Sequence, residues 1–180
     1  MKILFFTLIF FPLFSYAKTW KIVENESKIE FVATQNNSKI TGSFKKFAGK
    51  IIFDKNNLAN SNVDLNIDIS SLETSLDEAR ETLKTKDWFD LTNFKNANFK
   101  TTKFQKISDK EFQADAKLTI KGIAANIVIY FSFDEYNKNR AKASGRAIIK
   151  RYDYNIGAKN LQNAHGVAND VVINFTLSAI

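Results

Sequence analysis

Along most of this chain apolar and polar residues alternate one by one, which predicts short amphipathic strands with one buried and one wet face. The cleanest run is Asn62 to Ile69, where Val63, Leu65, Ile67 and Ile69 alternate with Asn62, Asp64, Asn66 and Asp68. Earlier, Ile29, Phe31 and Ala33 share one face of a strand, as do Ile40, Gly42 and Phe44, before an expected bend at Phe47-Ala48-Gly49. Residues 97–106 and 111–120 read as a hairpin, and Lys121-Gly122 turns the chain into a strand over 126–133. The chain closes with Val171, Ile173, Phe175, Leu177 and Ala179 in strict alternation.

One stretch breaks the period of two. Between Ser70 and Phe104, Leu76, Ala79 and Leu83 recur at helical spacing, and Ser75 with Glu78 has the form of a capping box at the start of a short helix. Trp88, Phe89, Phe94, Phe99 and Phe104 follow. A short helix with one narrow apolar stripe, followed by large aromatics, is expected to lie as a cap over the open end of a sheet.

Two strands depart from simple alternation. In 126–133 the face carrying Ile127, Ile129, Phe131 and Phe133 is backed by Val128 and Tyr130, so both faces are partly apolar and the outer one is expected to be covered, by the chain itself ahead of a second subunit. Over 141–151, Ala141, Ala143, Gly145 and Ala147 share a face before Ile149. A row of small inward residues leaves volume that a close-packed interior would fill. Together the elements predict an all-β fold, an antiparallel barrel of about eight strands with one short helix inserted mid-chain, its interior either filled or holding one small ligand. A β-sandwich would show the same alternation.

Composition narrows the setting. Lys2 is followed by a largely apolar run to Phe11, then Pro12 and the small-residue stretch Ser15-Tyr16-Ala17, so residues 1–17 are expected to be a cleaved signal peptide, and 18–180 a single domain. There is no cysteine, which excludes disulfides, thiolate chemistry and cysteine metal sites. The net charge of +7 suits contact with anionic lipid surfaces better than with nucleic acid in an exported protein, although most lysines fall at the polar positions of strands.

Catalytic chemistry finds few candidates. The single histidine, His165, lies in a polar loop, and the carboxylate pairs Asp64/Asp68, Asp87/Asp90 and Asp134/Glu135 fall on a wet face or near turns, poor places for acid/base work. Ser70 and Ser71 have no histidine near them in sequence. No enzyme, metal or cofactor is expected. Arg151 and Asp153, two apart, are expected to face the same way as the alanine row. They either pair with each other, or stack on Trp20 to close the barrel, or place Arg151 against an anionic ligand head.

In this order and spacing, Ser27-Lys28-Ile29-Glu30-Phe31, Thr41-Gly42-Ser43-Phe44, Ile52-Phe53-Asp54, Ser61 to Ser71, Leu83 to Asp90, Asn98-Phe99, Leu118 to Gly122 and Arg151-Tyr152-Asp153-Tyr154 resemble the YceI family of exported lipid-binding proteins across residues 18–180. The resemblance implies a lipocalin-like barrel, periplasmic, whose lumen holds a long polyisoprenoid, an isoprenoid quinone or a similar amphiphile, with no catalytic residues. Three positions depart from the family: Glu26 where it often has histidine, Asn96-Ala97 in place of Tyr-Pro, and Asn155 where glycine is expected. On this reading the lumen is lined by Phe31, Phe44, Ile67, Ile69, Phe99, Leu118, Ile129, Ala143, Gly145, Ala147 and Phe175, with Trp88 and Phe89 near the opening and Arg151 at its end. A filled barrel that serves as an interaction protein of the cell envelope, or that forms a homodimer, is the alternative.

Overall fold

In the computed structural model, residues 18–158 and 166–180 are described; the expected signal peptide and His165 lie outside them. A single antiparallel sheet of eleven strands curls around the core in the order β1-β4-β5-β7-β8-β9-β10-β11-β2-β3-β6. The strands are β1 (Thr19–Trp20), β2 (Lys28–Gln35), β3 (Ser38–Phe44), β4 (Phe47–Ile52), β5 (Asn62–Asp68), β6 (Leu72–Thr74), β7 (Asn96–Lys106), β8 (Glu111–Ile120), β9 (Ile123–Tyr136), β10 (Ala141–Lys150) and β11 (Asp170–Ala179). The sequence led us to expect about eight strands. The count rises because β1 and β6 are short additions, and because β3 and β4 are separated by Lys45 and Lys46 alone. The break therefore falls two residues before the bend expected at 47–49, and Phe44 and Phe47 are buried on either side of it.

The sheet is closed by its own chain at the β1 end. After pairing with β4, the N-terminal segment crosses to β11, where the Lys21 N–H donates to the Ile180 carbonyl at 2.8 Å and the Ile180 N–H returns the bond at 2.9 Å. Trp20 Nε1 donates to the Phe53 carbonyl at 3.0 Å and fixes the strand against the core.

Two irregularities set which side chains point inward. Phe99 and Phe104 are five apart and would face opposite ways on a regular strand. A bulge between Thr101 and Lys103 turns the second half of β7 over, so that both rings enter the core. A second register shift, where Ala143 of β10 pairs with Phe133 while Lys142 pairs with Glu135, brings Phe133 and Tyr136 into contact at 4.8 Å between ring centres.

The expected helix exists as α1 (Asp77–Lys84), but its cap differs. Leu76 occupies the N-cap with no side-chain hydrogen bond, and Ser75 is drawn away to β3, its Oγ accepting from the Thr41 N–H at 3.4 Å. Thr74 Oγ1 accepts from the Leu76 N–H at 3.0 Å instead. The expected apolar stripe is cut short, because Leu76 is 51% exposed while Leu83 packs on the core.

Among the described residues none covers the outer face of β9, contrary to the expectation. Val128, Tyr130 and Ile148 are 40%, 59% and 53% exposed. Ile148 pairs with Val172, and Val172 with Val32, so an apolar row crosses the outside of the sheet.

Candidate functional site

Inside the curled sheet run three contiguous apolar cavities. The first, of about 90 Å³, is largely aromatic and lies beside Trp20, walled by Phe53, Phe104, Phe131, Phe133 and Tyr136. The second, of about 110 Å³, takes its walls from the middle of the strands and shares Phe99, Ile129, Phe175 and Leu177 with the first. The third, of about 130 Å³, is aliphatic and shares Ile29, Ile67, Leu118 and Ile173 with the second. The shared side chains stand between the cavities, so the three lie in series along the barrel as one interrupted apolar tunnel. At the α1 end the aliphatic cavity abuts a wider one of about 270 Å³ through Phe31, Ala33, Leu83, Trp88 and Val167; Gln35, Glu78 and Thr82 supply its polar groups.

Of the lining residues expected from the sequence, Phe31, Phe44, Ile67, Ile69, Trp88, Phe89 and Leu118 meet at the aliphatic cavity, with Arg151 at its edge. Phe99, Ile129, Ala143 and Phe175 wall the aromatic one, and Ala147 walls the middle. Gly145 lines none of these cavities. A Cβ placed there would lie 2.4 Å from Phe175 Cζ and 2.7 Å from Phe131 Cβ. The gap left by the small row is therefore filled by aromatic rings lying across it, and the free volume sits on either side of Gly145. Alternation had placed Phe131 and Phe133 inward; Phe53, Phe104 and Tyr136 were missed because a strand end and the two register shifts hide their orientation.

Arg151 sits otherwise than expected. β10 ends at Lys150, and Arg151–Tyr154 form a 3-10 turn that buries Arg151 and leaves Asp153 exposed, so the two do not share a face. Its guanidinium stacks on Tyr152 and Trp88, with 4.2 Å and 5.5 Å to the ring centres, and lines the aliphatic cavity rather than the one beside Trp20. Nε donates to the Ala168 carbonyl at 3.0 Å, Nη1 to those of Ile156 at 2.7 Å and Gly157 at 3.0 Å. Nη2 donates to the Val167 carbonyl at 2.8 Å and the Tyr152 hydroxyl at 2.9 Å. Burial draws its pKa below the usual arginine value, yet the five bonds suit a retained charge. Gly157, at φ +59°, accepts this approach because a Cβ there would meet Nη1 at 2.7 Å. Lys121 reinforces the same end, its ammonium donating to the carbonyls of Lys86 at 3.1 Å and Asn155 at 3.0 Å. Burial lowers its pKa while Asp90 and Asp87 pull it upward.

The expected carboxylate pairs lie outside the tunnel walls. Asp68 caps a turn by accepting from the Ser70 N–H at 2.9 Å, Asp64 is 3.5 Å from Lys100 Nζ, and Asp134 accepts from Ser144 Oγ at 2.7 Å. Of the family departures, Glu26 accepts from Ser178 Oγ at 2.8 Å and pairs with Arg140, a surface clamp. Asn155 takes the left-handed conformation at φ 53° that glycine would otherwise supply.

An antiparallel barrel wrapped around an apolar tunnel, with a helix over one end, defines a lipocalin-like architecture. The chain belongs to the YceI-like domain family, which matches residues 20–179. It is 30% identical over 124 residues to a UPF0312 protein of Vibrio vulnificus, covering 66% of each chain. A UPF0312 protein of Photorhabdus laumondii is 29% identical over 126 residues, covering 67% of this chain and 65% of its own. The chain thus matches just under two thirds of these relatives' length. Among solved structures, BcnA of Burkholderia cenocepacia superposes with a TM-score of 0.82 at 28% identity, over 88% of this chain and 99% of that one. A polyisoprenoid binding domain from Saccharophagus degradans shares the fold with a TM-score of 0.70 at 17% identity, over 92% and 98% of the two chains.

Proposed function

We propose that this protein binds and carries a long-chain amphiphile, a polyisoprenoid, isoprenoid quinone or similar lipid, in the tunnel, and that it does so in the periplasm. The observation that carries the reading is the series of apolar cavities along the barrel, which an extended chain could occupy by turning aside the side chains between them and which offers a compact polar molecule almost nothing to bond. Each CH₂ withdrawn from water contributes roughly 0.8 kcal/mol, so an extended tail binds without polar contacts, and the rigid wall of strands limits the ordering cost of association. Membership of the YceI-like family and the name of the Saccharophagus neighbour support the lipid; the apolar run before Ala17 supports export. The basic net charge suits a carrier that visits anionic membrane surfaces.

The test is to purify the protein from the envelope of its host, extract it with organic solvent and identify the extract by mass spectrometry, beside the double variant Ala143→Leu, Ala147→Leu. Stoichiometric prenyl lipid in the wild type, reduced at least severalfold in a variant that still folds, is the expected result. Ligand retained by the variant would remove the tunnel from consideration. An empty wild-type extract would favour the second reading, an interaction protein that uses the exposed row around Val128, Tyr130 and Ile148.

A further inference from the structure

We infer that the head of the bound amphiphile lies at the α1 end and is uncharged, and that Glu78 is the residue that discriminates against a diphosphate there. This rests on the carrier reading. The tunnel is chemically directional. Its Trp20 end is walled by aromatic rings and closed by the β1 segment, whereas its α1 end meets the cavity where Gln35, Glu78 and Thr82 are the polar side chains. A tail therefore ends among the rings, and the head remains under α1.

Four of the cations described near that end already have partners within the chain. A guanidinium has five N–H groups, and those of Arg151 make five bonds to carbonyls and a hydroxyl. Lys121 holds two carbonyls. On α1 itself, Arg80 lies 2.9 Å from Asp77 and Lys84 2.7 Å from Glu81. Glu78 belongs to the same helix, lines the cavity and takes part in none of these pairs. A diphosphate would bring two or more negative charges beside that carboxylate, a repulsion that water and salt at this exposed position screen only in part. An alcohol, amide or quinone head meets only hydrogen-bonding groups from Gln35, Thr82 and Glu78.

The experiment compares two probes with the same tail, geranylgeraniol and geranylgeranyl diphosphate, titrated into purified, delipidated protein by calorimetry. The same titrations are run on Glu78→Gln and Glu78→Lys, with thermal melts to verify folding, which an exposed position tolerates. The alcohol is expected to bind on the order of tenfold more tightly than the diphosphate. The gap should narrow in Glu78→Gln, narrow further or invert in Glu78→Lys, and shrink with added salt, with the affinity for the diphosphate changing by a larger factor than that for the alcohol. Equal affinity for both probes in the wild type, or preference for the diphosphate, overturns the inference and leaves the carrier reading standing. A gap that neither variant moves overturns the role of Glu78. If neither probe binds, the carrier reading fails and this inference falls with it.

Discussion

Tyr154 is fully buried, yet its hydroxyl finds no hydrogen-bond partner among the described residues, and burial pushes its pKa up to about 12. An unsatisfied buried hydroxyl costs about 1 to 3 kcal/mol, so Tyr154→Phe is expected to stabilise the protein by about 1 kcal/mol at neutral pH, read from urea denaturation. The pH dependence has a definite sign. Between the ordinary tyrosine value of 10.0 and about 12 the unfolded chain gives up this proton while the folded one keeps it, so stability falls as pH rises through that window. At about 1.36 kcal/mol per unit this group accounts for at most about 2.7 kcal/mol of the alkaline loss. The loss should be correspondingly shallower in the phenylalanine variant; parallel curves would show that the hydroxyl has a partner. The sequence carried no hint of this, since a tyrosine in a polar segment does not announce how deeply it will be buried.

At the scale of elements, Arg151 joins the 3-10 turn to both flanks of the loop that follows, 156–157 and 167–168, and through Trp88 to the segment after α1. Arg151→Ala is expected to cost about 3 kcal/mol or more, because several buried carbonyls lose a charged donor together. Arg151→Lys should recover only part of that, since one ammonium cannot reproduce the planar fork. Thermal melts decide the matter, and full stability in the alanine variant would mean that the fork does not hold this end closed. The prenyl content of folded Arg151→Lys should be unchanged. The sequence made strands legible wherever the period of two is unbroken, as in Val63 to Ile67 and Val171 to Ala179. It failed where geometry inserts or ends a residue run. Bulges in β7 and between β9 and β10 shift parity without any marker in composition, and Arg151 was assigned to a strand face because nothing in Lys150-Arg151-Tyr152 marks the change to a 3-10 turn. The small row over 141–147 reads as space, yet only its alanines border free volume: at Gly145 the rings of Phe131 and Phe175 fill the gap, and which rings do so depends on register across three strands.

For the whole molecule, the tunnel proposed to hold the ligand is also the core. Nearly every lining side chain also belongs to the hydrophobic cluster that holds the sheet together, so occupancy and stability are linked. A ligand at a hundredfold excess over its Kd adds about 2.7 kcal/mol, which for a domain of this size raises the melting temperature by about 5 to 10 °C. Delipidated protein should therefore melt lower by that margin and recover on addition of geranylgeraniol. An unchanged melting temperature would indicate a core that is complete without ligand.

The reciprocal bonds between Lys21 and Ile180 carry a consequence for biogenesis. The segment of the chain made early has its partner in the segment made late, so the barrel's closing seam can form only after synthesis has passed through every other strand. Contacts of such long sequence separation slow folding. Until the seam forms, the aromatic end of the tunnel stands open to water, and a lipid or a chaperone that covers those rings in the interval would be acting on an assembly intermediate.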